Sequence, residues 1–470
     1  MLLYIIRKET IANITSLKYF LTILLMIIIF TASGFVFVNR YIQEINAYSI
    51  NYNKNFSGLN DKSKNFSELV NYKQTIYRKP KLMQLFCDGF EKTLPNTIKM
   101  DIFSIDNPEV VSTTNFFFSR LTNVDWVFII SLILSFVALI LSFDSFSEER
   151  ERGTLSLILS NTVPRYKLIL GKYISVILTL MIPLVIGLLI NLIIVSLFGF
   201  TLNGNQWLKI IVFVGISMLY LSIFLLLGIS VSSRSAKSSS SIMILLFIWV
   251  VLVIIVPACG RIISENLVKV PLRSEVDKRI EEAMFEIFMN ADSYGKNAGL
   301  MSADLHSKGI NLPAREKWIG AMTDSRNRIN EEYFNQIIAQ ADIGRNITKV
   351  SPVVIYQSAS EAVIGSGVVR IRNLYKQLKE YQMILKKFSV DKDKEDPDSW
   401  HLFIPQPELR KLLSQKPVDY NSIPKFSEQD IYMGNVLKNA VWDIGILFFL
   451  NILLFLIVHV SFLRCDVRQR

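Results

Sequence analysis

Six stretches of this 470-residue chain, 19–39, 124–143, 172–198, 208–231, 240–259 and 439–463, are almost free of charge and long enough to cross a bilayer. A hydrocarbon core of about 30 Å needs about 20 apolar residues per helical crossing. No water reaches backbone groups there, so only helices and closed barrels satisfy their own N–H and C=O groups. The apolar residues are clustered in continuous runs and do not alternate with strand period. The chain is therefore read as an all-α polytopic membrane protein with six transmembrane helices. Composition agrees: 51% of residues are hydrophobic and only 19% charged, against roughly a quarter charged in soluble domains.

The formal net charge of +11 does not point to nucleic acid. No basic stripe with interleaved aromatics occurs, and much of the Lys and Arg flanks the apolar runs or sits in mixed-charge loops. Cys87, Cys259 and Cys465 make neither a metal spacing nor a disulfide framework. Cys87 and Cys259 fall on the same expected side, and the sequence leaves open whether they pair. His306, His401 and His459 are far apart and are read as solvated or packed side chains, so no metal site is expected. A basic patch before an apolar run also opens signal peptides. Here the run Leu21 to Val38 is long and no small-x-small cleavage site follows it cleanly, so it is read as a retained span.

Lys and Arg in short loops mark the cytoplasmic side. Arg7, Lys8 and Lys18 precede span one. Arg150, Arg152, Arg165, Lys167 and Lys172 lie between spans two and three, Arg234 and Lys237 between spans four and five, and Arg464, Arg468 and Arg470 in the tail 464–470. The short loop from Gly199 to Trp207 has none. Both termini are thus expected in the cytoplasm, with segments 40–123 and 260–438 outside.

The first external segment has a polar front half and receives no fold assignment. The second reads as mainly helical. Ser274 and Asp277 resemble a capping box. Val276, Ile280, Ala283, Met284 and Ile287 then recur at helical spacing, as do Trp318, Met322, Ile329, Tyr333 and Ile337. Ser351-Pro352 is a helix start, and Gly365 and Gly367 interrupt the helix or mark close packing. After the charged loop "DKDKEDPDSW", Pro405, Pro407, Pro417 and Pro424 make the approach to span six irregular. This segment is either a face for cargo or a partner protein, or a cap that stabilises the spans.

Between spans two and three lies a dense polar knot, 146–172. Glu148, Glu149 and Glu151 crowd the start of a short helix, where the macrodipole favours anions. "TLSLIL", 154–159, is apolar but too short to span. Pro164 ends the helix, and 168–171 turns the chain back into the membrane. The expected object is a short helix across the base of two spans, with a greasy face. On the residues alone, a partner surface and the lipid headgroups cover such a face equally well.

The string E-R-E-R-G-T-L at 149–155, then S-N-T-V-P-R at 160–165 and L-G-K at 170–172, resembles the signature loop of ABC-2-type transporter permeases. "SPVVIYQSASEAVIGSGVVRIRNLYKQLKEYQMI", 351–384, is similar to a subgroup with a large helical insertion between spans five and six. A pair that is often Gly-Thr there is Gly365-Ser366 here. The resemblance leaves 40–123 without a counterpart. It implies an amphipathic elbow helix over 1–18 and a coupling helix in the cytoplasmic loop 144–171 that docks on an ATP-binding cassette ATPase. It also implies a second permease protomer, identical or different. In that docking Glu149, Glu151 and Arg152 would make polar rim contacts beside Glu148 and Thr154. Leu155 and Leu157 would be the apolar anchors, Gly153 would permit close approach, and Pro164 would close the helix.

The chain has no G-x-x-x-x-G-K-[ST], H-E-x-x-H or G-x-S-x-G. It is read as a non-enzyme without its own cofactor, with ATP bound by the partner subunit. Asn191, Asn451, Asp443 and His459 are the nearest approaches to mid-span polarity, which gives proton-coupled transport little support. Pro183, Gly187 and Asn191 offer a kink or a polar lining in span three. The expectation is an exporter permease in a prokaryotic plasma membrane. The alternatives are a mechanotransmission subunit that moves external partner proteins and a purely structural anchor.

Overall fold

The computed structural model describes residues 2–89, 97–106, 124–160, 164–296, 298, 311–399, 401, 403, 413–431 and 433–463. His306, Pro405, Pro407, Cys465 and the tail lie outside the described residues. The chain runs α1 (Leu2–Ile14), α2 (Leu17–Ser63), α3 (Phe66–Val70), β1 (Gln74–Tyr77), β2 (Thr97–Met100) and α4 (residues 126–142). Next come α5 (Ser147–Glu151), α6 (Thr154–Ser160), α7 (Arg165–Leu197), α8 (Gly204–Arg234) and α9 (Ser238–Leu267). Then follow α10 (Arg273–Met289), α11 (Leu312–Ile347), α12 (Pro352–Ile364), α13 (Gly367–Asp393) and α14 (Met433–Leu463). Helices α2, α4, α7, α8, α9 and α14 carry the six stretches long and apolar enough to cross a membrane.

Side chains start these helices where the sequence supplies an acceptor. Ser16 Oγ accepts from Tyr19 N at 3.2 Å ahead of span one. Asp125 Oδ1 accepts from Phe128 N at 2.9 Å ahead of span two. Such caps satisfy N–H groups that the first turn leaves open. The spans then pack through small residues. A Cβ on Gly187 would lie 2.3 Å from Phe30, and one on Gly34 would lie 2.7 Å from Asn191. Asn191 Nδ2 donates to the Phe30 carbonyl at 3.2 Å. The polar lining expected in span three is instead a clamp between spans one and three. Asn451 clamps spans four and six in the same way, accepting from Ser222 at 2.5 Å and donating to the Leu219 carbonyl at 2.9 Å.

Helix α2 does not stop at residue 39 but continues to Ser63. Along the extension, at one-turn spacing, Tyr48 stacks on Tyr52 and Tyr52 meets Phe56 edge-on. Beyond it, β1 and β2 pair antiparallel with Gln74 opposite Met100. Ile76, Ile98 and Met100 of this hairpin share one core with Leu374, Leu378 and Tyr381 of α13. The two segments read separately in the sequence therefore form one body. Arg370 and Glu428 lock it: Nε and Nη2 donate to the two carboxylate oxygens at 2.7 and 2.8 Å, and Lys81 adds a contact at 3.2 Å. Burial alone would raise the Glu428 carboxyl, but Arg370 and then Lys81 bring it down to about 2. A depressed carboxyl stabilises the fold above its unfolded value, and that stability is lost as pH falls toward the folded value. About 3 kcal/mol should disappear between about pH 4.5 and pH 2. Thermal unfolding across that window should show the loss, and Glu428→Gln should remove this part of the pH dependence.

Helices α10 and α11 pack through the predicted faces, with Val276 and Ile280 against Ile329, Tyr333 and Ile337. The cap differs. The helix begins at Arg273, and Glu275 accepts from Leu272 N at 3.2 Å. Ser274 thus lies inside the first turn, while Asp277 pairs with Arg273 at 2.8 Å.

Ser351 and Pro352 start α12 as expected, and Gly365 ends it in the left-handed region at φ 78°. Its location is the surprise. All of its residues but Val354 and Gln357 are buried, and Val353, Tyr356, Ala359 and Val363 belong to the core of the span bundle. At 13 residues it is too short to cross, the length expected of a buried or re-entrant segment. Lys349, just before it, pairs with Asp443 of span six at 2.7 Å. Asp443 is thereby paired and buried within the bundle. Cys87 is buried, Cys259 is exposed, and both are free thiols.

Candidate coupling site

The knot between spans two and three folds as two short helices, α5 and α6, in place of the single one expected. The break is Gly153, at φ +71°. That region costs an L-residue with a Cβ about 1–2 kcal/mol. A Cβ there would meet nothing within 4 Å, so within this chain the glycine serves backbone conformation and not close approach. Pro164 is exposed and extended just before α7, and 168–171 are already helical. Pro164 therefore starts span three rather than ending α6. Residues 161–163 lie outside the described residues.

Helix α5 is tied to both ends of the loop between spans four and five. Arg150 donates from Nη1 to the Ser235 carbonyl at 2.6 Å and from Nη2 to the Ser233 carbonyl at 2.8 Å. These carbonyls lie at the end of α8, where partial negative charge attracts a cation. Glu151 accepts from Ser238 N and from Ser238 Oγ, each at 3.0 Å. Ser238 begins α9, where partial positive charge attracts an anion. One residue pair thus matches the polarity of two helix ends.

A second tie reaches span three and α1. Lys172, 4% exposed at its side chain, lies 2.8 Å from Glu149 and 3.5 Å from Glu9. A Cβ on the neighbouring Gly171 would lie 2.6 Å from Ile5, so α1 presses directly on α7. Thr10 Oγ1 donates to Ser175 Oγ at 3.0 Å, and Lys18 pairs with Asp144. The outer side of α1 carries exposed Leu3, Tyr4 and Ile11. Arg165 closes the far end of span six by donating to the Leu463 carbonyl at 2.8 Å. Beneath these polar ties, Phe146, Leu155, Leu168, Ile169, Leu226, Ile229, Val458 and Phe462 form a small apolar core.

A family model described as ABC-2 family transporter protein matches residues 3–383. The chain belongs to this family. No curated protein matches it. The matched region contains α5, α6 and their ties to α1, α7, α8 and α9; the span-six residues Val458, Phe462 and Leu463 lie beyond it. Membership makes the chain an integral multi-pass component of an ABC transporter.

Within this ABC-2 protein the predicted coupling residues divide by direction. Leu155 is 2% exposed and belongs to the small core, so it is not an outward anchor. Glu149 and Glu151 are engaged within the chain by Lys172 and Ser238, and Glu151 stays exposed. Glu148 and Arg152 pair with each other at the surface. Thr154 is exposed, its hydroxyl donating to the Glu149 carbonyl at 3.2 Å. Leu157 is 67% exposed and remains the apolar side chain presented outward. Sequence reasoning missed Arg150 and Lys172 as ties, counting them only toward orientation. Their partners lie in distant segments, and no local spacing announces them.

Proposed function

We propose that the chain is the permease of an ATP-driven exporter in a prokaryotic plasma membrane, with both termini in the cytoplasm and a second protomer beside it. A separate ATP-binding cassette subunit binds the nucleotide and seats on the α5–α6 unit. The observation that carries this reading is the division of that unit. Leu157 points outward while Arg150, Glu151 and Glu149 fasten the same unit to spans three, four and five. Force applied at Leu157 therefore enters three crossings at once. Leu157→Glu should cut co-purification of the ATPase subunit by about 30-fold, the effect of losing about 2 kcal/mol at an interface anchor. Met383→Glu, at another exposed apolar position, is the control. Unchanged co-purification in Leu157→Glu would overturn the reading.

One observation favours a second reading, in which the ATPase moves an external protein and nothing crosses. Helix α2 continues unbroken from span one into the body built by the hairpin and α13. Cargo accumulation in inverted vesicles separates the two: an exporter shows it, a mechanotransmission subunit does not.

A further inference from the structure

Two of the crossings contain a π-helical turn, Ile129–Leu134 in α4 and Val251–Ile255 in α9. Such turns are rare and recur at functional positions. Each inserts an extra residue, so a carbonyl loses its usual donor four residues on. In hydrocarbon that carbonyl must find another donor. Here hydroxyl groups reach a carbonyl in each turn from a different helix. The Ser131 carbonyl accepts from Tyr220 Oη of α8 at 2.8 Å, and also from Ser135 Oγ at 2.6 Å. The Leu252 carbonyl accepts from Ser351 Oγ at 2.5 Å, the residue that caps α12.

The two turns are also joined to each other. Trp249 Nε1, just before the α9 turn, donates to Ser135 Oγ, just after the α4 turn, at 2.9 Å. That hydroxyl in turn donates to the Ser131 carbonyl. Trp249 and Phe136 are in ring contact, with centroids 5.3 Å apart. A second connection runs through α12. Tyr356 stacks on Tyr220 at 4.5 Å and 18°, and its hydroxyl shares a hydrogen bond with Ser217 at 2.9 Å. The circuit closes: α4 turn, Trp249, α9 turn, Ser351, α12, Tyr356, Tyr220, and back to the α4 turn.

We propose that the two π turns are a single coupled hinge, and that α12 is the latch that keeps spans two and five flexing together. Straightening one turn alone would return its carbonyl to a backbone donor, displace the hydroxyl that now serves it and break the Trp249–Ser135 bond, while the other turn keeps its own donors. Straightening both lets α12 shift as a unit. Base motion reaches the hinge because α5 follows α4 directly and is fixed by Glu151 to the start of α9. Ser351, Tyr356, Tyr220 and Trp249 are positioning residues in this device.

Hydrogen–deuterium exchange on the full chain in lipid nanodiscs tests it. Of the two turns, Ser351 Oγ contacts the one in α9 and the Tyr220 hydroxyl the one in α4. Ser351→Ala should raise exchange at 251–256 and, at a distance, at 129–135 by about fivefold. That is the population change for loss of a hydrogen bond worth about 1 kcal/mol. Tyr220→Phe keeps the ring and should give the reciprocal pattern. A rise confined to the turn each side chain touches overturns the proposal, as does a rise spread evenly over all six crossings.

Discussion

Replacing Lys172 with alanine is expected to cost about 3 kcal/mol and to loosen α1 and α5 from span three together. The ammonium is almost wholly enclosed and serves Glu149 and Glu9 at once. Removing one member of a buried ion cluster costs about 3–5 kcal/mol, because the remaining charges stay desolvated and repel. Both carboxylates keep about a fifth of their surface, which places the effect at the lower end. Thermal unfolding in nanodiscs reads the loss. Adding Glu149→Gln to Lys172→Ala should recover a large part of it, since the neutral amide needs no cation. A single variant within 0.5 kcal/mol of the parent would show that the cluster does not hold the base together.

The second large effect lies where α11 meets α12. Glu361 is fully buried, accepting from Arg345 Nη2 at 2.6 Å and from Gln357 Nε2 at 3.1 Å. Arg345→Ala should therefore cost about 3–5 kcal/mol by leaving a buried carboxylate without its cation. Arg345→Met with Glu361→Leu should be milder, because apolar side chains of similar volume need no compensation. The pocket is tight: a Cβ on Gly367 would lie 2.2 Å from Glu361 Oε2, at φ +65°. Gly367→Ala should unfold this corner by clash and by backbone strain. Chemical unfolding monitored on the three variants ranks them.

The parts of the fold legible in the sequence are those where one helix face or one long run decides the outcome. Six apolar runs gave six crossings, and the α10 and α11 stripes found each other. Segment 40–63 was opaque because Asn and Ser side chains compete locally for backbone bonds and Gly adds backbone freedom, so no helix is announced. Its helix is held by aromatic residues one turn apart and by the neighbouring hairpin, and such tertiary packing overrides propensity. Helix α12 was legible as a helix but not as part of the span bundle, since its burial depends on Ser217 and Tyr220 far away in the chain. At the coupling site, Leu155 and Leu157 are indistinguishable by composition. Two residues apart on a helix, they cannot share a face, and Phe146 and Phe462 decide which one turns inward.

The 47 residues of α2 make a rod about 70 Å long at 1.5 Å per residue. Only about 30 Å of it fits in hydrocarbon. A tilt of about 5° about its foot would swing the far tip by about 6 Å, on the same rise per residue. A small rocking of span one is thus a lever stroke for whatever rests on its distal end.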